Sequence, residues 1–466
     1  MAGGEPMKIL VCVKQAVSGE INPFDACAYE AALRTDGAEV TLISMGPMKS
    51  ADFLTSLTRL GAKRAVLLSD TAFAGADTLA TAYALSLAVK RLSPDLILCG
   101  RQTVDGDTGQ VGPMLAAMTG HRLITNVMSL TASADTVTCT DRSGNTAMAA
   151  YPALLTVERI NTLRLPSIRS RSVETEIWSA SDIGADVEKC GQSGSPTRVL
   201  QTRENSQDRR KCTFIAPNEF DKAVNDALIS AAEQIKPQVH STNRLSRVYT
   251  VGTSPIEMAK TVSDDITVID MDTPQALAVK IAAEKPNAVL WGSDPVSKAV
   301  APQVAVLLKT GLCADCTMLE ADGDKLIMYR PAFSGNVIAK IECTAFPAMA
   351  TVRTAESEPT KVIIGVGRGA AGFIEKIPPF AERFCADIAA SRLMVDDGYY
   401  PYEKQVGLTG KTVSPDVYIA LGISGAVHHI AGIRSAKKII AVNNDKNAEI
   451  FKYSDYGIVC DIAELL

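Results

Sequence analysis

The sequence predicts an α/β chain built from three doubly wound parallel-sheet units. Short, wholly apolar runs read as strands buried on both faces, longer Ala- and Leu-rich or amphipathic stretches between them read as helices, and small-residue turns join the two. The chain has 466 residues, of which 47% are hydrophobic and 21% charged. At roughly 150 residues per domain, that length accommodates about three cores.

Residues 8–14 read as a first buried strand, followed by a helix over 26–34. A strand at 39–44 precedes a helix at 51–60, and a strand at 65–68 precedes an Ala/Leu-rich helix at 78–91. A fourth strand occupies 96–99. Such a doubly wound unit places its ligand crevice at the carboxyl ends of the strands. After about residue 131 the alternation stops, and polar stretches such as 136–145 suggest antiparallel strands. Residues 184–208 read as an extended arm, 218–234 as a helix and 237–243 as a linker. Strands resume at 247–251, 266–269 and 288–291, and a last block opens at 361–364 and continues at 417–421, 438–442 and 456–459. The expected division is 7–188, an arm, helix and linker over 189–240, then 244–355 and 356–466.

Composition excludes several function classes. Forty-seven Lys plus Arg against 52 Asp plus Glu give a formal charge of −5 with no basic block, so no nucleic-acid surface is expected. No apolar run reaches the ~18 residues of a membrane span. The start carries Glu5 and Pro6 in place of a basic and then apolar stretch, so no secretory signal is expected. Eleven cysteines scattered among apolar strands suit a reducing cytoplasm, where cysteine serves as a small hydrophobe.

Four motifs carry chemistry. Gly100-Arg-Gln-Thr-Val-Asp-Gly-Asp-Thr-Gly-Gln-Val-Gly-Pro113 follows the fourth strand directly. Its small residues let backbone N–H groups approach a phosphate, and the helix starting near Gln110 points its positive end there. Asp105 can accept a ribose hydroxyl or cap that helix. A calcium loop opening at Asp105 would end on Ala116 instead of a glutamate, so that reading fails. Gly367-Arg-Gly-Ala-Ala-Gly372 has dinucleotide spacing, but Ala390-Ser391-Arg392 stands where the acidic ribose ligand is expected, which favours another phosphate ligand over NAD. His428 and His429 are adjacent, point to different sides and make a poor metal pair; one packed and one exposed histidine is the structural reading, and no metal is expected. Cys313-Ala-Asp-Cys316 has redox-like spacing and reads as structural.

These pieces resemble a known family. Residues 8–171 resemble the beta subunit of electron transfer flavoproteins through Leu10-Val-Cys-Val-Lys14, Asn22-Pro-Phe24, Ser44-Met-Gly-Pro47, Gly75-Ala-Asp-Thr-Leu-Ala-Thr81 and the string from Asp105 to Pro113, with Ser195-Pro-Thr-Arg198 like that subunit's arm. From about Arg247 the chain resembles the alpha subunit, in Ala314-Asp-Cys-Thr317, Met349-Ala-Thr-Val-Arg353, Gly367-Arg-Gly369, Ser391-Arg392, Gln405 to Lys411 and Tyr418 to Asn443. The resemblance implies a fusion: a beta-like nucleotide domain, a shortened alpha-like N-terminal domain and a C-terminal FAD domain.

By match, Arg368, Ser391, Arg392, Gln405, Val406, Gly407, Leu408, Thr409, Ser424, Gly425, Ala426, Val427, His428, His429, Asn443 and Asp461 would contact FAD. Arg392 can stabilise negative charge on the flavin, the Thr409 hydroxyl can reach ring N5, and His429 can donate toward the C2 carbonyl, where charge collects on reduction. Asn443 and Asp461 suit the adenosine half. A second site, for FAD or AMP, is implied at Cys12, Asn22, Pro23, Phe24, Asp25, Met45, Gly100, Asp105, Gly106, Asp107, Thr108, Gly109, Gln110 and Val111. Its Asp-Gly-Asp-Thr-Gly-Gln-Val-Gly string looks more like members holding a second FAD. His428 stands where the family has Gln, the hairpin before Asn22 is cut to four residues from Ser18 to Ile21, and the first strand and helix of the alpha-like half are missing.

The resemblance implies an electron carrier between a flavin dehydrogenase, of the acyl-CoA dehydrogenase type, and a downstream acceptor, with Leu165 as the partner-docking anchor beside Pro166. The alternative within the family is electron bifurcation with NADH and ferredoxin or flavodoxin. Outside it stands an adenine-nucleotide-binding enzyme or sensor without a redox role; an adenylating enzyme would need a Ser-Gly-Gly-x-Asp-type loop after residues 8–14, and the sequence has none.

Overall fold

The computed structural model describes residues 6–17, 19–141, 144–158, 162–204, 210–233, 243–332, 337–353, 362–407, 410 and 413–466. The expected linker falls almost wholly outside them. The apolar runs of the first part become β1 (Met7–Cys12), β2 (Ala38–Met45), β3 (Arg64–Leu68) and β4 (Leu96–Gly100), separated by α1 (Pro23–Leu33), α2 (Ala51–Thr58) and α3 (Thr78–Leu92) and followed by α4 (Val111–Thr119). Asp77 starts α3 by accepting from the Leu79 and Ala80 amides at 2.9 and 3.0 Å, a cap worth ~1 kcal/mol. Then come β5 (Arg122–Ala132), β6 (Thr136–Asp141), β7 (Thr146–Ala150), β8 (Ala153–Val157) and β9 (Glu176–Trp178). All nine join one sheet in the order β7-β6-β5-β8-β4-β1-β2-β3-β9. The core strands are parallel, and β5, β6 and β7 form the antiparallel extension expected of the polar stretch. Connections reverse direction between β1 and β4, where Cys12 pairs with Cys99. That is the switch point, and ligands of such sheets bind outside it.

The middle of the chain adds β10 (Thr197–Glu204), β11 (Thr213–Phe214), α5 (Phe220–Glu233), β12 (Val248–Val251), α6 (Ile256–Ala259), β13 (Ile266–Ile269), α7 (Pro274–Glu284), β14 (Ala288–Trp291), α8 (Pro295–Leu308), β15 (Leu312–Cys316), β16 (Met318–Asp322), β17 (Lys325–Ala332), β18 (Val337–Cys343) and β19 (Ala348–Val352). A second parallel sheet has the order β13-β12-β14-β19-β15. Fully buried Trp291 packs there in one cluster with Ala82 and Met114 of the first part. Both sheets belong to one compact unit, residues 1–202, 240–333 and 338–354. The arm expected to be merely extended contributes β10 to a four-stranded sheet, β10-β18-β17-β16.

The second unit contains residues 203–239 and 355–466. Its strands are β20 (Val362–Val366), β21 (Asp387–Ala390), β22 (Val417–Leu421), β23 (Lys438–Asn443) and β24 (Tyr456–Val459), with α9 (Ile377–Glu382), α10 (Arg392–Asp396) and α11 (Val427–Ile433). The order is β11-β24-β23-β22-β20-β21, all parallel. Phe220, Ala223, Val224 and Ala227 of α5 bury against Val362, Ile364 and Ile440. The switch point here lies between β20 and β22.

Candidate functional site

Every described residue expected to hold FAD sits at or just beyond the carboxyl end of the second unit's sheet. Arg368 follows β20, Ser391 and Arg392 follow β21, Ser424 to His429 follow β22, Asn443 ends β23 and Asp461 follows β24. Gln405, Val406 and Gly407 join them because the Val406 amide donates to the Ala390 carbonyl at 2.9 Å. Leu408 and Thr409 lie outside the described residues. Glycines let the loops touch at the switch point: a Cβ on Gly367 would stand 2.3 Å from the Gly422 carbonyl oxygen.

Side chains divide into held and unpartnered. Asn443 donates to the Ile423 carbonyl at 3.0 Å and accepts from the Asp445 amide at 2.9 Å. Asp461 accepts from the Ala463 amide at 2.9 Å. Arg368 stands 3.8 Å from Asp397, and Arg392 pairs with Asp396 one helical turn on at 3.0 Å. His428 is exposed and His429 buried, as adjacent positions on a short helix require. His429 Nε2 lies 3.0 Å from the Tyr418 hydroxyl. Burial brings its pKa down to about 4, against a smaller opposite pull from the Val406 backbone, so the ring is neutral at pH 7. Two buried polar atoms at this strand end, Ser391 Oγ and His429 Nδ1, have no hydrogen-bond partner among the described residues. Buried polar atoms are ordinarily paired. A ligand rich in acceptors and hydroxyls, as FAD is, would satisfy both, so the residues fit that group.

The first unit's switch point gathers the second set. Cys12, Met45 and Gly100 end β1, β2 and β4. Asn22 is fully buried and reaches the crossing loop, donating to the Gln102 carbonyl at 2.9 Å and accepting from the Val104 amide at 3.3 Å. Asp25 accepts from the Lys14 amide at 2.8 Å and the Gly100 amide at 3.2 Å, tying both sides of the switch point to α1. Phe24 is buried under the Arg101 guanidinium, 5.2 Å from its ring centre; Pro23 opens α1. Burial pushes the Asp25 carboxyl up to about 7, although hydrogen bonds from Asn22, Lys14 and Gly100 oppose the rise.

Asp105, read as a cap or ribose ligand, does not cap α4. It pairs with Lys14 at 2.9 Å; burial alone would raise its pKa, and Lys14 outweighs that to lower it. Gln110, at the start of α4, is turned inward to Thr78 at 2.8 Å and the Leu312 carbonyl at 3.1 Å. Gly106, Asp107, Thr108, Gly109 and Val111 are half-buried along the loop, with left-handed backbone at Asp107 (φ 51°) and Gly109 (φ 64°). The Gly106 carbonyl accepts from Arg330 at 2.9 Å, a contact no local sequence signal could have announced.

The loop carrying Leu165 is anchored just before it. Arg164 grips buried Glu30 through two side-chain contacts of 3.0 Å, and Leu165 is left 90% exposed. Among the described residues, no helix is long and apolar enough to cross a membrane.

The electron transfer flavoprotein domain profile matches residues 9–183 and again 265–379, and the electron transfer flavoprotein FAD-binding domain profile matches 358–434. Protein FixA of Azorhizobium caulinodans is 38% identical over 248 residues, 49% of this chain and 87% of that protein. The electron transfer flavoprotein subunit alpha of Thermoanaerobacterium thermosaccharolyticum is 35% identical over 228 residues, covering 39% and 69%. The acryloyl-CoA reductase electron transfer subunit beta of Anaerotignum propionicum is 33% identical over 261 residues, covering 40% and 71%.

Proposed function

The chain belongs to the electron transfer flavoprotein family, a beta-like half fused to an alpha-like half, and from this we propose that it carries electrons from a flavin dehydrogenase of the acyl-CoA dehydrogenase type to a downstream acceptor. FAD, when bound, supplies one- and two-electron redox chemistry. The observation that carries the reading is the pair of unpartnered buried atoms, Ser391 Oγ and His429 Nδ1, at the strand ends where the family resemblance puts the cofactor. There Ser391 and neutral His429 supply hydrogen bonds, the Gly367–Gly422 contact keeps the two loops close, and Arg392 supplies positive charge. A reducing cytoplasm suits the eleven cysteines, none of which is joined in a disulfide. The division at 7–188, 189–240, 244–355 and 356–466 is proposed as the functional one.

Arg392→Ala is expected to retune the cofactor without releasing it. Its pair with Asp396 is an exposed i,i+4 contact worth only ~0.3–0.5 kcal/mol, so the guanidinium is free to turn to a ligand. A charge-assisted hydrogen bond formed chiefly with the reduced cofactor is worth ~1.5–3 kcal/mol. That converts to roughly 65–130 mV for one electron. Spectroelectrochemistry of the FAD-loaded variant should read a one-electron potential lower by this order. An unchanged potential with FAD retained would remove Arg392 from that role.

Leu165 is proposed as the anchor that docks the dehydrogenase. A relative named for acryloyl-CoA reductase supports the acyl-CoA class of partner, and exposed Leu165 on an anchored loop supports the position. Truncating such an anchor costs ~2 kcal/mol, about 30-fold in affinity. Titration calorimetry with Leu165→Ala should read that loss; unchanged binding would refute the loop's role.

A second reading, bifurcation of NADH electrons between the C-terminal FAD and ferredoxin or flavodoxin, is favoured by the Gly106–Gly109 loop. Its glycines and left-handed turns at Asp107 and Gly109 suit a loop that lets a second nucleotide approach closely. Counting the cofactors released on denaturation separates the two: two FAD per chain for bifurcation, one FAD and one AMP for the plain carrier.

A further inference from the structure

Beneath His429 lies a residue to which the cofactor reading gives no role. Tyr418, the second residue of β22, is completely buried, and its hydroxyl touches His429 Nε2 at 3.0 Å. Room for that hydroxyl exists because β20 carries glycine two residues beyond Ile363, the register partner of Tyr418: a Cβ on Gly365 would stand 1.8 Å from the Tyr418 oxygen. Glycine inside a strand marks a close approach of this kind.

We propose that Tyr418 is a positioning residue that sets the tautomer of His429, its hydroxyl donating to Nε2 so that Nδ1 keeps the ring proton and presents it to the cofactor. The inference rests on reading this strand end as the FAD site. The donor inventory makes the choice. A neutral imidazole has one N–H and one acceptor nitrogen. If Nε2 held the proton and gave it to Tyr418, the phenol's own proton would be buried with no acceptor among the described residues. With the phenol donating, Nε2 is satisfied, and Nδ1–H is the one group left for a ligand. Burial holds the Tyr418 hydroxyl far above its ordinary value, so it remains a donor across the working range. Fixing a histidine's tautomer through the bond made by its other nitrogen is an established way of aiming it.

The test is nitrogen-15 NMR of the full-length, FAD-loaded chain with labelled histidine, His429 being assigned by its loss in His429→Gln. The wild-type spectrum should show His429 protonated at Nδ1 alone. Tyr418→Phe, which keeps the ring packing, should abolish that single form and lower the one-electron potential of the FAD. Gly365→Ala, which crowds the hydroxyl away, should shift the tautomer the same way. Wild-type His429 protonated at Nε2 overturns the proposal without any variant. So does an unchanged tautomer in a folded Tyr418→Phe chain. The two readings fail separately: a chain that holds no FAD but keeps Nδ1–H loses the cofactor reading, and the tautomer assignment stands.

Discussion

Gly425→Ala is expected to unseat the turn that carries Ser424 to His429 and to strip FAD from the chain. Gly425 has φ 92°, and a Cβ there would lie 2.2 Å from the Ile450 amide nitrogen and 2.6 Å from its Cα. That amide donates to the Ser424 carbonyl at 3.0 Å, so the turn and the Ile450 segment are bonded at the very point of collision. The obstacle is backbone and cannot rotate away. Ile450 and Phe451, both buried in the same cluster as Tyr418 and Ile430, would have to move with it. Strain at positive φ costs ~1–3 kcal/mol and forced overpacking a similar amount, so ~3 kcal/mol or more is expected. For a unit of this size that is roughly 6–12 °C in Tm. Gly372→Ala is the contrast, because a Cβ there meets nothing within 4 Å. Thermal unfolding with FAD release as the signal should separate the two sharply; equal behaviour would show that the turn does not need its glycine.

Asp25→Asn is expected to change how stability depends on pH. The carboxyl of Asp25 rises from an ordinary 3.8 to about 7 because burial disfavours its charge. A group with a folded pKa above its unfolded one binds its proton more tightly in the folded chain. Its contribution is therefore complete below about pH 4 and is lost as pH climbs through about 7. The span corresponds to roughly 4 kcal/mol. Carboxylates elsewhere titrate alike in both proteins and cancel in the difference. Wild-type unfolding free energy minus that of the Asp25→Asn chain, measured in urea from pH 4 to 8, should fall by this order. A flat difference would mean that the clamp between β1 and β4 is ionised throughout.

The parallel strands were the most legible part of the sequence. The runs at 266–269, 288–291, 417–421 and 456–459 coincide with β13, β14, β22 and β24; β14 and β22 are buried along their whole length, so they read as unbroken apolar runs that stop where the turn begins. Strands of the arm were not legible. β10 reads Thr-Arg-Val-Leu-Gln-Thr-Arg-Glu and joins partners more than a hundred residues later in the chain, a pairing with no local mark. Candidate site residues were legible as strand-end positions, and the hydrogen bonds their side chains make there were not. Asn22 and Asp25 were counted as nucleotide ligands; their side chains also bond to the Gln102–Val104 loop and to the Lys14 and Gly100 amides, a tie that spacing does not announce. Tyr418 lies eleven residues before His429, and only Gly365 inside the run Val-Ile-Ile-Gly-Val signalled that something large lay against that strand.

As proposed, this chain takes electrons from a flavin dehydrogenase onto an FAD in its C-terminal unit. Anaerobic titration of the purified chain with an acyl-CoA dehydrogenase and its acyl-CoA substrate, following the visible flavin absorption, tests it most directly. The expected result is a yellow chain whose flavin band bleaches in proportion to acyl-CoA added, with only catalytic amounts of the dehydrogenase present. A colourless chain, or a flavin band untouched by the reduced dehydrogenase while dithionite bleaches it, would rule that transfer out.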